Sequence, residues 1–253
     1  MARLQGKIAW VTGAGSGIGE AAALALAQEG AEIVLTGRRE APLQSVAARI
    51  VAAGGKAHVQ PGDLTDSARV GEIAGWIGAN LPSLDILVAN AGANIGQRHW
   101  SNLTPEGADT VISANLNSVF YCVSAVLPTM RKQHDGVIIV TASLAGRSIS
   151  NLSGAAYTAA KHGAVALCHT VNQQECVNGI RCTAVLPGEV ATPILEKRPV
   201  PVSAEDRAKM AQSEDLGDLI RYVACLPARV VINEVWMCPT WNRGYVAALE
   251  RMG

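Results

Sequence analysis

Short apolar runs alternate with stretches whose apolar residues recur every three or four positions, and the alternation continues over nearly the whole chain. Residues 8–11 (Ile8-Ala9-Trp10-Val11) predict a first strand, and residues 16–28 a helix with Ile18, Ala22, Ala25 and Leu26 on one face. Residues 32–36 predict a second strand. The next helix begins near Pro42, a residue suited to a first turn, and carries Leu43, Val46, Ala47, Ile50 and Val51 at helical spacing. Residues 57–60 predict a third strand, followed by a helix bearing Val70, Ile73, Ala74 and Ile77. Further strands are expected at 85–89, 136–141, 181–186 and 230–237, and helices at about 105–130, 155–177 and 215–226. Short, wholly apolar strands are what helices on both faces of a parallel sheet require. The pattern predicts a doubly wound α/β sheet of about seven strands.

No repeat or low-complexity linker interrupts this pattern, so residues 1–253 read as a single domain, with a Pro-rich candidate substrate lid at about 193–212. A hydrophobic content of 49% supports a sizeable core. Lys+Arg and Asp+Glu both number 21, which leaves no global field to favour nucleic acid or an anionic membrane. The six cysteines include no C-x-x-C pair and no zinc spacing, so no metal is expected and the thiols read as buried and reduced. The N-terminal residues pass into the first strand without an apolar signal region, and no apolar stretch reads as approaching the roughly 20 residues that cross a bilayer. These features predict a cytoplasmic protein.

Between the first strand and first helix lies Thr12-Gly13-Ala14-Gly15-Ser16-Gly17-Ile18-Gly19. Such a loop brings backbone N–H groups against a pyrophosphate, and the helix N-terminus adds positive potential. Its spacing is T-G-x-x-x-G-x-G rather than G-x-G-x-x-G. Further along stand Asp63, Asn90-Ala91-Gly92, Asn115, Ser143, Tyr157-x-x-x-Lys161 and Pro187-Gly188. With these motifs in this order, the sequence resembles the short-chain dehydrogenase/reductase family over nearly its whole length. The resemblance implies a Rossmann-type fold and hydride transfer between a nicotinamide cofactor and a small alcohol or carbonyl compound.

Cofactor choice turns on the end of the second strand, where an acid would accept the ribose 2′-OH of NAD and an arginine would pair with the 2′-phosphate of NADP. Gly37 stands at the family's acidic position and is followed by Arg38, Arg39 and Glu40. The expectation is NADP(H), with Arg38 on the phosphate and Arg39 assisting. NAD(H) is the second choice; two solvated loop arginines are the alternative reading, and Glu40 can blunt their charge. By resemblance, Asp63 and the backbone of Leu64 receive the adenine, Asn90, Ala91 and Gly92 line the adenosine ribose, and Gly13, Gly15, Ser16, Gly17, Ile18 and Gly19 form the phosphate loop. Pro187, Gly188, Val190 and Thr192 are expected to hold the nicotinamide.

Residues four apart share a helix face, so Tyr157 and Lys161 place a phenol and an ammonium beside one cavity. A neighbouring cation favours the phenolate and lets the phenol exchange a proton with a substrate oxygen. The resemblance adds that Lys161 bonds the nicotinamide ribose, Ser143 orients the substrate oxygen, and Asn115 holds a water that links Lys161 to a proton relay; Asn117 is a nearby rival. Asn94, Ile95, Arg147, Asn151, Glu189 and Leu195 are candidates for the substrate pocket, and Arg147 for a substrate carboxylate. His162, rotated about 100° from Lys161, is excluded. The C-terminal run 226–234 resembles members acting on serine and 3-hydroxy acids. A small-molecule substrate and a homotetramer, with a dimer second, are expected. An NAD-preferring dehydrogenase and a non-catalytic NADP-binding sensor or scaffold are the alternative functions.

Overall fold

The computed structural model describes residues 2–149, 151–198 and 201–252. Seven parallel strands form one sheet in the order β3-β2-β1-β4-β5-β6-β7. They are β1 (Ile8–Thr12), β2 (Glu32–Thr36), β3 (Ala57–Val59), β4 (Ile86–Ala89), β5 (Gly136–Thr141), β6 (Ile180–Pro187) and β7 (Glu234–Met237). The order reverses between β1 and β4, and such a reversal opens a crevice beyond the strands' carboxyl ends.

Helices cover both faces. On one side α3 (Ser67–Asn80), α5 (Ser118–Gln133) and α6 (Ala155–Glu175) pack with Trp10, Leu87, Ile138 and Ala184, and α4 (Pro105–Ile112) lies against α6. On the other, α1 (Gly17–Gln28), α2 (Glu40–Ala52) and α8 (Ser213–Ala224) pack with Val11, Leu35, Val88 and Ile139. Each large side chain buried in these layers contributes roughly 1.5–3 kcal/mol. Trp10, fully buried in β1, satisfies its indole N–H on Thr36 Oγ1 at 2.9 Å, which joins β1 to β2 by side chains as well as backbone. Two short helices, α7 (Ala204–Lys209) and α9 (Arg243–Glu250), lie outside the elements the periodicity predicts.

Four departures have physical causes. First, the expected long helix is interrupted by a wide π-type turn at Ser113–Asn117, between α4 and α5. Second, the helical run Pro105–Gln133 has a mean hydropathy of 1.5, so by length and composition it is apolar enough to cross a membrane, contrary to the expectation from sequence. Here Val119, Cys122, Val123, Val126 and Met130 are instead packed in the core beside the sheet. Third, β7 begins at Glu234 rather than at 230, because the Val230 N–H closes a turn on Pro227 O and Val230 and Val231 are exposed. Fourth, only Cys122, Cys168 and Cys182 are buried; Cys176 is exposed, and all six are free thiols.

Candidate active site

The crevice at the carboxyl edge of β1, β4, β5 and β6 is a cavity of about 780 Å³. Thr12, at the end of β1, holds its floor together. Its hydroxyl donates to Val88 O at 3.2 Å and accepts from the N–H groups of Asn90 (2.9 Å) and Ala91 (3.1 Å), and its carbonyl accepts from Asn90 Nδ2. The loop between β1 and α1 is thereby pinned to the segment after β4. Gly13, Ser16, Gly17 and Ile18 line the cavity, as do Asn90, Ala91 and Gly92. Gly15 and Gly19 are not among the lining residues; Gly19 is buried behind the loop. Gly17 opens α1 at φ +59°, a left-handed conformation that L side chains resist. Ser16 caps this twelve-residue helix without a side-chain hydrogen bond, so the first turn presents its backbone N–H groups towards an anion.

Arg38 lines the cavity beyond β2 and is exposed, as is Arg39, which precedes α2. Glu40 does not blunt them: it accepts from Gln44 at 3.3 Å, and among the described residues neither arginine has a carboxylate within 4.0 Å. Asp63 receives the N–H (3.0 Å) and hydroxyl (2.9 Å) of Thr65. The Thr65 backbone N–H is the main cause that holds its carboxyl below the usual range, and the Arg38 charge adds a smaller push in the same direction. Leu64 is buried in the core. Neither Asp63 nor Leu64 lines the cavity.

At the other end of the crevice the structure gathers Asn115, Ser143, Tyr157 and Lys161. Ser143 follows β5 and caps a short 3-10 turn through Ala145 N at 3.2 Å. Its side chain also bonds the phenol of Tyr157, one turn into α6. Protein packed around the phenol pushes its pKa up; the Ser143 bond and the Arg98 charge pull it partly back. Arg98 is thus a cation acting on the phenol that the helical spacing does not point to. Lys161 Nζ is 5.5 Å from the Tyr157 ring centroid and donates to Thr141 O at 2.8 Å. Burial at 3% exposure lowers the ammonium pKa from 10.5 to about 8.

Asn115 sits in the middle of the π-type turn, fully buried. Its amide nitrogen donates to Ala93 O (2.6 Å) and Val111 O (2.8 Å), while its Oδ1 has no hydrogen-bond partner among the described residues. A Cβ on Gly92 would lie 2.7 Å from that oxygen and 3.7 Å from Lys161 Nζ, so only glycine allows this approach. A wide turn of this kind widens the backbone locally and is frequent at functional sites.

Pro187, Gly188, Glu189, Val190 and Thr192 form the wall after β6. Of the substrate-pocket candidates, Asn94, Glu189 and Leu195 line the cavity; Ile95, Arg147 and Asn151 do not. Arg147 is bound to the carboxylate of Glu234, which also accepts from His169. It is therefore a strand-end clamp and not an open anion partner. Glu189 is clamped between Arg198 Nη1 at 2.7 Å and Arg243 Nη2 at 2.6 Å. Arg98, Arg198 and Arg243 also line the cavity, and no sequence motif points to them. No periodicity marks the segment around Arg98, and Arg243 comes from α9, which the pattern does not predict.

Residues 7–201 match the family model described as short chain dehydrogenase. An uncharacterized oxidoreductase of Staphylococcus aureus (strain MW2) is 33% identical over 239 residues, 94% of this chain and 100% of that protein. A metagenomic short-chain oxidoreductase in complex with NADP is similar in structure, with a TM-score of 0.82 and 31% identity, covering 95% of this chain and 100% of that one. An alcohol dehydrogenase from the archaeon Thermococcus sibiricus, complexed with 5-hydroxy-NADP, has a TM-score of 0.84 and 26% identity over 94% of this chain and 98% of that one. The chain that builds this crevice belongs to the short-chain dehydrogenase family of oxidoreductases.

Proposed function

We propose that the protein interconverts a small alcohol and its carbonyl compound with NADP(H), with Tyr157 as the proton-transferring acid/base. The observation that carries this reading is one cavity that holds both the Ser143–Tyr157 hydrogen bond above buried Lys161 and the glycine loop at the N-terminus of α1. The residues fit a dinucleotide: a helix start with uncapped N–H groups, glycines that let backbone approach, and at the far end Arg38, which has no carboxylate within 4.0 Å among the described residues. The NADP complexes of the two structural relatives support the same choice.

When bound, the nicotinamide takes up or supplies the hydride at the substrate carbon. Ser143 donates to the substrate oxygen and fixes it beside Tyr157. In reduction, the Tyr157 hydroxyl gives its proton to that oxygen as the C–O double bond becomes single; in oxidation, the phenolate takes the hydroxyl proton back. A phenol pushed above its ordinary pKa is protonated at neutral pH, which suits proton donation to a carbonyl. Lys161, with a pKa of about 8, supplies an ammonium with two further donors beyond its bond to Thr141 O. Asn115 Oδ1 offers an acceptor to a relay water between Gly92 and Lys161. The substrate lid is the stretch 193–212, of which 199 and 200 lie outside the described residues, and its Leu195, Val202 and Met210 form a small apolar cluster of their own.

A panel of aldehydes, ketones and hydroxy acids, each assayed with both cofactors by the absorbance of the reduced nicotinamide, tests the reading. Turnover that favours NADP(H) supports it. A preference for NAD(H) replaces the cofactor choice, and cofactor binding without turnover of any substrate supports a sensor or scaffold instead.

A further inference from the structure

α9 has no part in the proposed chemistry, yet Asn242, Arg243 and Gly244 at its start line the cavity. This helix lies beyond residues 7–201, which match the family model, and none of its residues is buried, so core packing does little to place it. Polar contacts tie it to the site instead. Arg243 Nε and Nη2 reach the two carboxylate oxygens of Glu189 at 2.9 and 2.6 Å, and its Nη1 reaches Asp206 in α7 at 3.4 Å. From the lid, Arg198 Nη1 donates to the same Glu189 at 2.7 Å. Lys209 Nζ, at the end of α7, lies 4.6 Å from the ring centroid of Trp241, just before the cap of α9. Glu189 thus joins three segments: the wall after β6, the lid and α9. The Glu189 and Arg198 side chains are 17% and 14% exposed, so water and salt screen this pair less than a surface one. The hydrogen bond from Arg243 is the main cause that holds the Glu189 carboxyl below its ordinary range, which keeps it charged at neutral pH.

The lid is built to move as one piece. Its ends are joined by Ala191 N on Ala211 O at 2.9 Å, and Leu195, Val202 and Met210 give it a small core of its own. Its start lies on the glycine loop: a Cβ on Gly17 would come 3.2 Å from Thr192 Cγ2 and 3.7 Å from Pro193 Cδ. Thr192, Pro193, Ile194 and Leu195 line the same cavity as Gly17 and Ile18. A dinucleotide seated on the first turn of α1 therefore passes beneath the start of the lid.

We propose that Arg243 is a positioning residue of this site: through Glu189 it holds the lid down over a bound dinucleotide and slows its release. The proposal deepens the redox reading, rests on it for the bound dinucleotide, and gives α9 a role in it.

The test is the release of NADPH and of NADH from the full chain, followed by stopped-flow fluorescence of the reduced nicotinamide as excess NADP+ or NAD+ displaces it. Arg243→Gln leaves Glu189 paired with Arg198 and is expected to speed release by about tenfold or more, the value of one charge-assisted pair. Arg243→Lys, which keeps one donor for Glu189, should speed it by about threefold. Glu189→Gln also speeds release, and the double variant with Arg243→Gln releases no faster than the faster single one, because both changes break the same contact. A helix that only adds stability gives effects that multiply in the double variant and no partial rescue by lysine. Release as slow in Arg243→Gln as in the wild type overturns the proposal, as does unchanged release in Arg243→Lys should glutamine there prevent folding. Effects that multiply overturn it too. Parallel turnover assays separate the two readings. Faster release from a protein that turns over no substrate leaves the latch standing and removes the redox chemistry. Tyr157-dependent turnover with release unmoved does the reverse, and a chain that binds neither cofactor removes both.

Discussion

Lys161 Nζ donates to Thr141 O at 2.8 Å, tying the first turns of α6 to the carboxyl end of β5. Two residues beyond Thr141 stands Ser143, and one helical turn before Lys161 stands Tyr157. A single buried hydrogen bond thus sets the register between the two elements that carry the proposed proton donor and its orienting hydroxyl.

Replacing Tyr157 with Phe removes the phenolic oxygen and keeps the ring beside Lys161. Turnover is expected to fall by about 10²–10⁴-fold, the usual worth of a positioned acid/base, with cofactor affinity largely retained. Steady-state rates and a fluorescence titration with NADPH check both halves. Equal turnover in the two proteins removes the proton-donor role.

The lowered pKa of Lys161 has a consequence for stability. Its folded-state value of about 8 lies below the ordinary 10.5, so between these values the unfolded chain binds more protons than the folded one. Stability of the cofactor-free protein therefore gains a rising contribution from pH 8 to about 10.5, and the cost of the buried ammonium is in full force below pH 8. Lys161→Met should lose that rise in urea unfolding measured across this window, and lose activity as well. An unchanged pH profile in the variant contradicts the assignment.

Arg38→Ala should weaken NADPH by about tenfold or more and NADH far less, since only the former carries the 2′-phosphate. Binding of both reduced cofactors to both proteins gives the answer. If the two affinities stay as they were, the phosphate is held elsewhere.

Glu234 provides a test in acid. Its hydrogen bonds from Arg147 first, and from His169, bring its pKa from 4.5 down to about 2. The stabilisation is present above pH 4.5 and is lost as pH falls towards 2, because there the unfolded chain takes up the proton first. Glu234→Gln should lower Tm at pH 7, with the deficit shrinking towards pH 2. A deficit that is constant over this range would show that the carboxylate's charge is not what matters.

The α5–α6 side of the molecule carries the expectation of a homotetramer. Phe120 is 58% exposed there, and Ala159 and Ala166 are exposed small residues on α6 that let another helix come close. Size-exclusion chromatography with light scattering should give a tetramer, with a dimer as the second choice. A monomer at micromolar concentration refutes both.

Much of this architecture is legible in the sequence because a strand buried on both faces leaves a short apolar run that little else produces. Ile8 to Val11 and Gly136 to Thr141 are such runs, and the motif residues Ser143, Tyr157 and Lys161 stand at fixed offsets from them. The π-type turn is not legible: Val111, Asn115, Val119 and Val123 recur every four positions, which an ordinary helix also satisfies. Val230 and Val231 mislead because apolar residues in a turn look like the start of a strand. Arg147 is misplaced by sequence alone because its partner Glu234 lies 87 residues away, a distance over which no local pattern reports. Arg98 stays hidden for the opposite reason, since a buried guanidinium in an irregular segment leaves no periodic trace.

The wide turn at Ser113–Asn117 also sets the phase of α5. Each residue advances an α-helix by about 100°, so excising one position there would swing the downstream half by that angle. Val119, Val123 and Val126 would leave the sheet, and Phe120 would rotate away from the surface it now decorates. The single surplus residue works like a gear offset: it lets the run turn an amide inward at the junction while α5 keeps its greasy side on the sheet.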